Sequence, residues 1–95
     1  MAAAAARRVP LERPPSASDN AKVKRQQELM RIQFGANLRR LRTEAGLSQR
    51  ALAMRADVSI NYISQSEQGR RGVTIDFLVR VAYHLGISPL DLLSE

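Results

Sequence analysis

The stretch from Ser48 to Gly69 constrains this chain most. Ser48 reads as an N-cap, with Gln49 as the first helical residue. Leu52 and Ala56 fall four apart on one face with Ala53 beside them, and the segment stops at Asp57. Aspartate tolerates left-handed φ better than most residues other than glycine. Val58 is a lone apolar residue and is expected to be buried in the turn. Ser59 then opens another helix, about Ile60 to Gln68, which Gly69 closes; counted from the Phe34 helix that precedes them, these are the second and third helices. Two short helices joined by a turn of about three or four residues cross steeply, and the second projects from the body.

The flanking sequence offers helices to support that corner. Phe34, Leu38, Leu41 and Ala45 recur at i, i+4, i+7 and i+11, one stripe of a helix, with Arg39, Arg40 and Arg42 off it. Gly46 stands where a left-handed residue ends a helix, and Leu47 can fold back onto it. Thr74 caps another helix, with Ile75, Leu78, Val81, Ala82 and Leu85 as its inner face and Gly86 at its end. Ser88-Pro89-Leu90-Asp91 reads as a compact start to a short fifth helix bearing Leu90, Leu92 and Leu93. No strand pattern appears. Residues 1 to about 20 hold three of the four prolines and no apolar periodicity, and are expected to stay disordered. Asp19 or Asn20 would cap a helical lead-in, Ala21 to Met30.

Composition narrows the chemistry. Fifteen Lys and Arg against nine Asp and Glu leave a net charge of +6, which favours polyanionic partners through counterion release. There is no cysteine, so disulfides, thiolate zinc sites and cysteine nucleophiles are excluded. His84 is the single histidine, and no metal-ligand cluster or phosphate-binding glycine loop is present. An enzyme, a cofactor and a metal are therefore not expected. Ala2 to Ala6 is too short for a signal-peptide apolar segment, and no apolar run approaches the roughly 18 residues of a membrane span. A cytoplasmic, nucleoid-associated protein is the expectation.

The outer face of the third helix suits DNA. With Ile63 turned inward, Ile60, Asn61, Ser64 and Gln65 fall outward or on the flank. Asparagine and glutamine each carry a donor and an acceptor on one amide, which matches adenine in the major groove, and isoleucine can meet a thymine methyl. These four are the candidate base contacts. Free N–H groups at the start of the second helix favour an anion. Ser48, Gln49 and Arg50 there, with Ser59, Tyr62, Arg70 and Arg71, are the candidate phosphate contacts, which set register rather than sequence preference.

Three segments carry a resemblance: "FGANLRRLRTEAGLSQRALA", "NYISQSEQGRR" and "TIDFLVRVAYHLGISPLDLL". From about Phe34 to Leu93 the chain resembles the Cro/phage-repressor-like helix-turn-helix family, also called the xenobiotic-response-element family. Within it, the small controller proteins of restriction–modification systems look most similar. The resemblance implies an all-α, compact five-helix bundle of the lambda-repressor-like DNA-binding domain type, with the third helix as recognition helix. It also implies that Gln49 meets phosphate and that Ile60, Asn61 and Gln65 face bases. Two positions depart from the family pattern. Asp57 replaces a turn Gly or Asn, and Ser66 replaces a large apolar residue, which predicts a gap or a hydrogen bond there. Glu67 is expected to pair with Arg39 or Arg42.

The resulting expectation is a basic Pro/Ala-rich tail over residues 1–28 and a DNA-binding domain over 29–95, with the helix-turn-helix proper at about 48–68. Its partners would be double-stranded DNA and a second copy of itself on a palindromic operator, the leucines of the fifth helix either forming the homodimer surface or closing the monomer core. Repressor and activator roles both stay open. The rival class is an antitoxin-like or adaptor protein-interaction module, which would expose an apolar third-helix face in place of amides and hydroxyls.

Overall fold

A computed structural model describes Pro14 and residues 16–95. Most of the expected tail, residues 1–13 and 15, lies outside the described residues, and with it the reading of a disordered segment there. Four α-helices and one 3-10 turn make up the rest: α1 (Ala17–Glu44), α2 (Gln49–Ala56), α3 (Ile60–Glu67), α4 (Ile75–Leu85) and the turn Pro89–Leu92. No strand occurs among the described residues.

The helix α1 is one continuous element of 28 residues, about 42 Å long at 1.5 Å per residue. The expected lead-in and the Phe34 helix are thus a single rod, and the expected tail boundary at 28 falls inside it. Its cap is Ser16, not Asp19 or Asn20. The Ser16 hydroxyl accepts from the Asp19 N–H, and the Asp19 carboxylate accepts from the Ser16 N–H, each at 3.2 Å. This reciprocal box satisfies two donors that a helix start leaves bare.

The other caps fall where the serines and threonine stand. Ser48, Ser59 and Thr74 accept from the N–H groups of Ala51, Tyr62 and Phe77, each at 3.0 Å. All four helices end with the same pair of backbone bonds. After α1, Gly46 N–H reaches Thr43 O and Leu47 N–H reaches Arg42 O. The same pairing closes α2 at Asp57 and Val58, α3 at Gly69 and Arg70, and α4 at Gly86 and Ile87. Three of these ends use glycine at positive φ, and the corner between α2 and α3 uses Asp57, at φ 55° and ψ 51°.

The core joins Phe34 and Leu38 of α1, Leu52, Ala53 and Ala56 of α2, Ile63 of α3, and Phe77, Leu78, Val81 and Ala82 of α4. Val58 packs against it from the turn, as expected. On α4 one expected inward residue is displaced: Ile75 is 74% exposed, and Phe77 holds the core position instead. The true inner stripe is Phe77, Leu78, Val81, Ala82 and Leu85, from which Ile75 is rotated away.

The five-helix count is corrected. Pro89–Leu92 forms a single 3-10 turn, with Asp91 N–H on Ser88 O and Leu93 N–H on Leu90 O. The Leu90 and Asp91 carbonyls that a further helical turn would use accept from the Ser94 hydroxyl instead, at 3.1 and 3.2 Å, and α1 holds the segment that follows. The buried Asn37 amide donates to Leu92 O at 3.0 Å and to Ser94 O at 2.6 Å. The turn inserts Leu92, fully buried, into the core, so Leu92 closes the monomer rather than offering a dimer surface. Leu90 and Leu93 remain exposed.

Candidate nucleic-acid interface

The corner is fastened from behind. At the C-terminal end of α3, Glu67 accepts from both Nε and a terminal nitrogen of Arg42 on α1, the latter at 2.9 Å. The same Glu67 carboxylate accepts from the Gln49 side chain at 3.0 Å, and Arg42 also donates to Leu47 O at 2.8 Å. One carboxylate thereby ties together α1, the start of α2 and the end of α3. Both partners are largely buried, their side chains 13% and 4% exposed. The hydrogen bond to Glu67 raises the Arg42 pKa above its usual value, and burial opposes this. Of the two arginines expected to pair with Glu67, it is Arg42 that does so, and Arg39 is exposed.

A second anchor fixes the other flank. The Tyr62 ring stacks on Phe77 with centroids 3.9 Å apart, and its hydroxyl accepts from the Thr74 N–H at 3.1 Å. The Arg71 guanidinium lies 3.8 Å from the same ring centroid and donates to Gln65 Oε1 at 3.5 Å. A guanidinium over an aromatic face is attracted by the ring quadrupole, which holds Arg71 beside α3.

Between these anchors α3 turns one face outward. Ile60 is 40% exposed, and Asn61 and Gln65 are exposed beside it. Ser64 is half-buried on the flank, its hydroxyl accepting from Gln68 at 3.4 Å. The candidate phosphate residues divide into two groups. Ser48, Gln49 and Arg50 sit at the N-terminus of α2, where the first amides have no intrahelical acceptor and the helix dipole favours an anion. The Ser48 and Ser59 hydroxyls both accept cap N–H groups, and each keeps its own O–H to donate. Tyr62, Arg70 and Arg71 gather at the other end, with Arg70 exposed.

Two contributors escape a reading by periodicity. Gly35 lets α1 touch the α3 backbone: a β-carbon there would lie 2.3 Å from Ser66 O and 2.8 Å from Glu67 O. A glycine inside a strongly periodic helix was the available signal. Ser66, expected to leave a gap or find a hydrogen bond, is fully buried and its hydroxyl has no partner. Gln68 prolongs the polar outward face of α3 and was recognisable only as its last residue.

Comparison with known proteins agrees with this architecture. Residues 33–95 match the helix-turn-helix domain family. The chain is 37% identical over 65 residues to the control protein C.BamHI of Bacillus amyloliquefaciens, covering 67% of this chain and 80% of that protein. The crystal structure of the restriction-modification controller protein C.AhdI from Aeromonas hydrophila superposes with a TM-score of 0.64 at 37% identity, covering 65% of this chain and 94% of that one. The clp gene regulator ClgR from Corynebacterium glutamicum superposes with a TM-score of 0.65 at 39% identity, over 67% of this chain and 68% of that one.

Proposed function

Because the chain belongs to the helix-turn-helix family of DNA-binding transcription regulators, we propose that it acts as a homodimer on a palindromic operator, with α3 in the major groove. The observation that carries this reading is the exposed Ile60–Asn61–Gln65 face of α3, held between two fixed anchors. In that arrangement Asn61 and Gln65 read bases through their amides, Ile60 meets a thymine methyl, and Ser64 adds a hydroxyl from the flank. Ser48, Gln49 and Arg50 clamp one stretch of backbone at the N-terminus of α2. Ser59, Tyr62, Arg70 and Arg71 hold another.

The dimer supplies the second half-site, about 34 Å away along the DNA. Its surface is the exposed apolar residues Leu90 and Leu93 together with Ile75, Val79 and Tyr83, which recur every fourth residue along α4. Binding by occupancy at a promoter then blocks or recruits polymerase in the cytoplasm.

Selection from a randomised duplex library, with wild type and with the Asn61→Ala/Gln65→Ala pair, tests the reading. A short palindrome enriched by wild type and lost or altered in the variant is the expected result. No enriched sequence, or one that the substitutions leave unchanged, overturns the placement of α3.

A further inference from the structure

We infer that the N-terminal half of α1 carries a second contact to the DNA backbone, a basic track in which Lys24 and Arg31 continue from Arg71. The inference rests on the reading of the protein as a DNA binder and extends its footprint beyond the corner. The family match begins at residue 33, so Ala17–Ile32 of α1 precede it.

Contacts at the other half of α1 show which of its sides faces α3. Gly35 lies against the α3 backbone, and Arg42 grips Glu67. Arg31 and Lys24 precede Gly35 by four and eleven residues, which the 3.6-residue turn places on that same side. Arg31 meets Arg71 across a cleft of about 290 Å³ between α1 and the loop after α3, whose other lining residues include Met30, Phe34 and Gly72 and no carboxylate. Two guanidinium groups thus face one cleft with no acid in it. Arg71 in turn bonds Gln65 on the outward face of α3. Arg71, Arg31 and Lys24 therefore lead from the proposed reading face up α1, with the one acid Glu28 between the last two.

Lower on the helix, Arg42 is occupied by Glu67 and Arg40 by Glu44, while Arg39 is exposed without an ion pair among the described residues. Among the described residues Lys24 and Arg31 make no ion pair, and neither does Glu28, which lies between them. Lys24 is exposed and Arg31 half-buried. They stand about 10.5 Å apart along the helix at 1.5 Å per residue. One DNA strand presents a phosphate about every 3.4 Å of axis, so the pair spans about three phosphates. A polyanion is the partner this spacing and sign fit.

The salt dependence of binding to a short duplex of arbitrary sequence tests the track. Wild type, Lys24→Gln/Arg31→Gln and Lys22→Gln/Arg25→Gln are compared between about 50 and 200 mM salt. Lys22 and Arg25 carry the same charge on the same helix, but at 3.6 residues per turn they lie about 140° and 80° around it from Gly35, off the line of Lys24 and Arg31. Each lost phosphate contact lowers the slope of log K against log salt by about 0.9, so the first pair should lose about 1.8 and the second little. Lys24→Gln alone, at an exposed position that cannot disturb packing, should lose about half as much as the first pair. An unchanged slope in the first pair, or equal losses in both pairs, overturns the track. If wild type itself binds no duplex, the DNA-binding reading fails and the track with it; a wild type that binds while the first pair behaves identically sinks the track alone.

Discussion

Gly35 seats the supporting helix directly against the backbone of Ser66 in the proposed recognition helix. A β-carbon on Gly35 would stand 2.3 Å from the Ser66 carbonyl oxygen, a distance that forces backbone to move. Gly35→Ala should therefore destabilise the fold by about 1–3 kcal/mol despite alanine's better helix propensity, because overpacking outweighs it. A fall in the urea midpoint at unchanged slope would show this. A rise in stability would mean that the two helices separate without cost.

Ser66 itself points to the opposite sign. Its hydroxyl is fully buried with no partner, and an unsatisfied buried polar atom costs about 1–3 kcal/mol. Ser66→Ala removes that atom and adds no bulk, so the midpoint temperature should rise. For a domain of this size about 1 kcal/mol corresponds to about 4–8 °C. A drop on substitution would imply that the hydroxyl finds a water or a backbone acceptor.

The Glu67 carboxylate serves three donors, and its removal leaves Arg42 largely buried without a counter-charge. Breaking such a pair from one side costs about 3–5 kcal/mol. Glu67→Ala should lower stability by that order, and added salt should do little to the loss because the pair is shielded from solvent. Gln49→Ala deletes only the third donor and should leave thermal unfolding nearly unchanged. Equal effects from the two substitutions would show that the network acts through Gln49 rather than through the Arg42 pair.

Much of this architecture is legible in the sequence wherever one residue decides a local outcome. The caps at Ser48, Ser59 and Thr74, the left-handed ends at Gly46 and Asp57, and the core positions Phe34, Leu38, Leu52 and Ile63 all follow from residue type and a 3.6-residue period. What escapes depends on partners distant in the chain. Ile75 fits the apolar period of α4 as well as Phe77 does, and only the position of α2 and α1 decides that Phe77 goes in. The 3-10 turn has the opening of a helix, and Asn37, 55 residues earlier, takes the Leu92 carbonyl at its end. The outward face of α3 is readable in part: Asn61 and Gln65 stand exposed, while Ser64 retreats to the flank.

Among the described residues Asp57 is the one helix-ending residue with a β-carbon at positive φ. Left-handed backbone costs a non-glycine L-residue roughly 1–2 kcal/mol, less for aspartate than for most. Asp57→Gly should stabilise the corner by up to about 1 kcal/mol, part of the gain being lost to the greater freedom of the unfolded chain. Thermal unfolding measures it. A decrease would show that the aspartate side chain contributes a contact worth more than the strain it causes.

Tyr62 couples packing to the proposed phosphate grip, and two substitutions separate its parts. Tyr62→Phe keeps the ring between Phe77 and Arg71 and deletes the hydroxyl that accepts from Thr74. It should cost about 0.5–1.5 kcal/mol of stability and weaken binding to any duplex up to about tenfold, by removing one phosphate donor. Tyr62→Ala also releases Arg71 from its ring. Its affinity should fall further, and the salt slope should drop by about 0.9 more as the Arg71 contact is lost. Fluorescence anisotropy on a duplex of arbitrary sequence, with unfolding measured alongside, distinguishes the steps. If the two variants bind alike, the ring does not position Arg71, and the loop holds that arginine by other means.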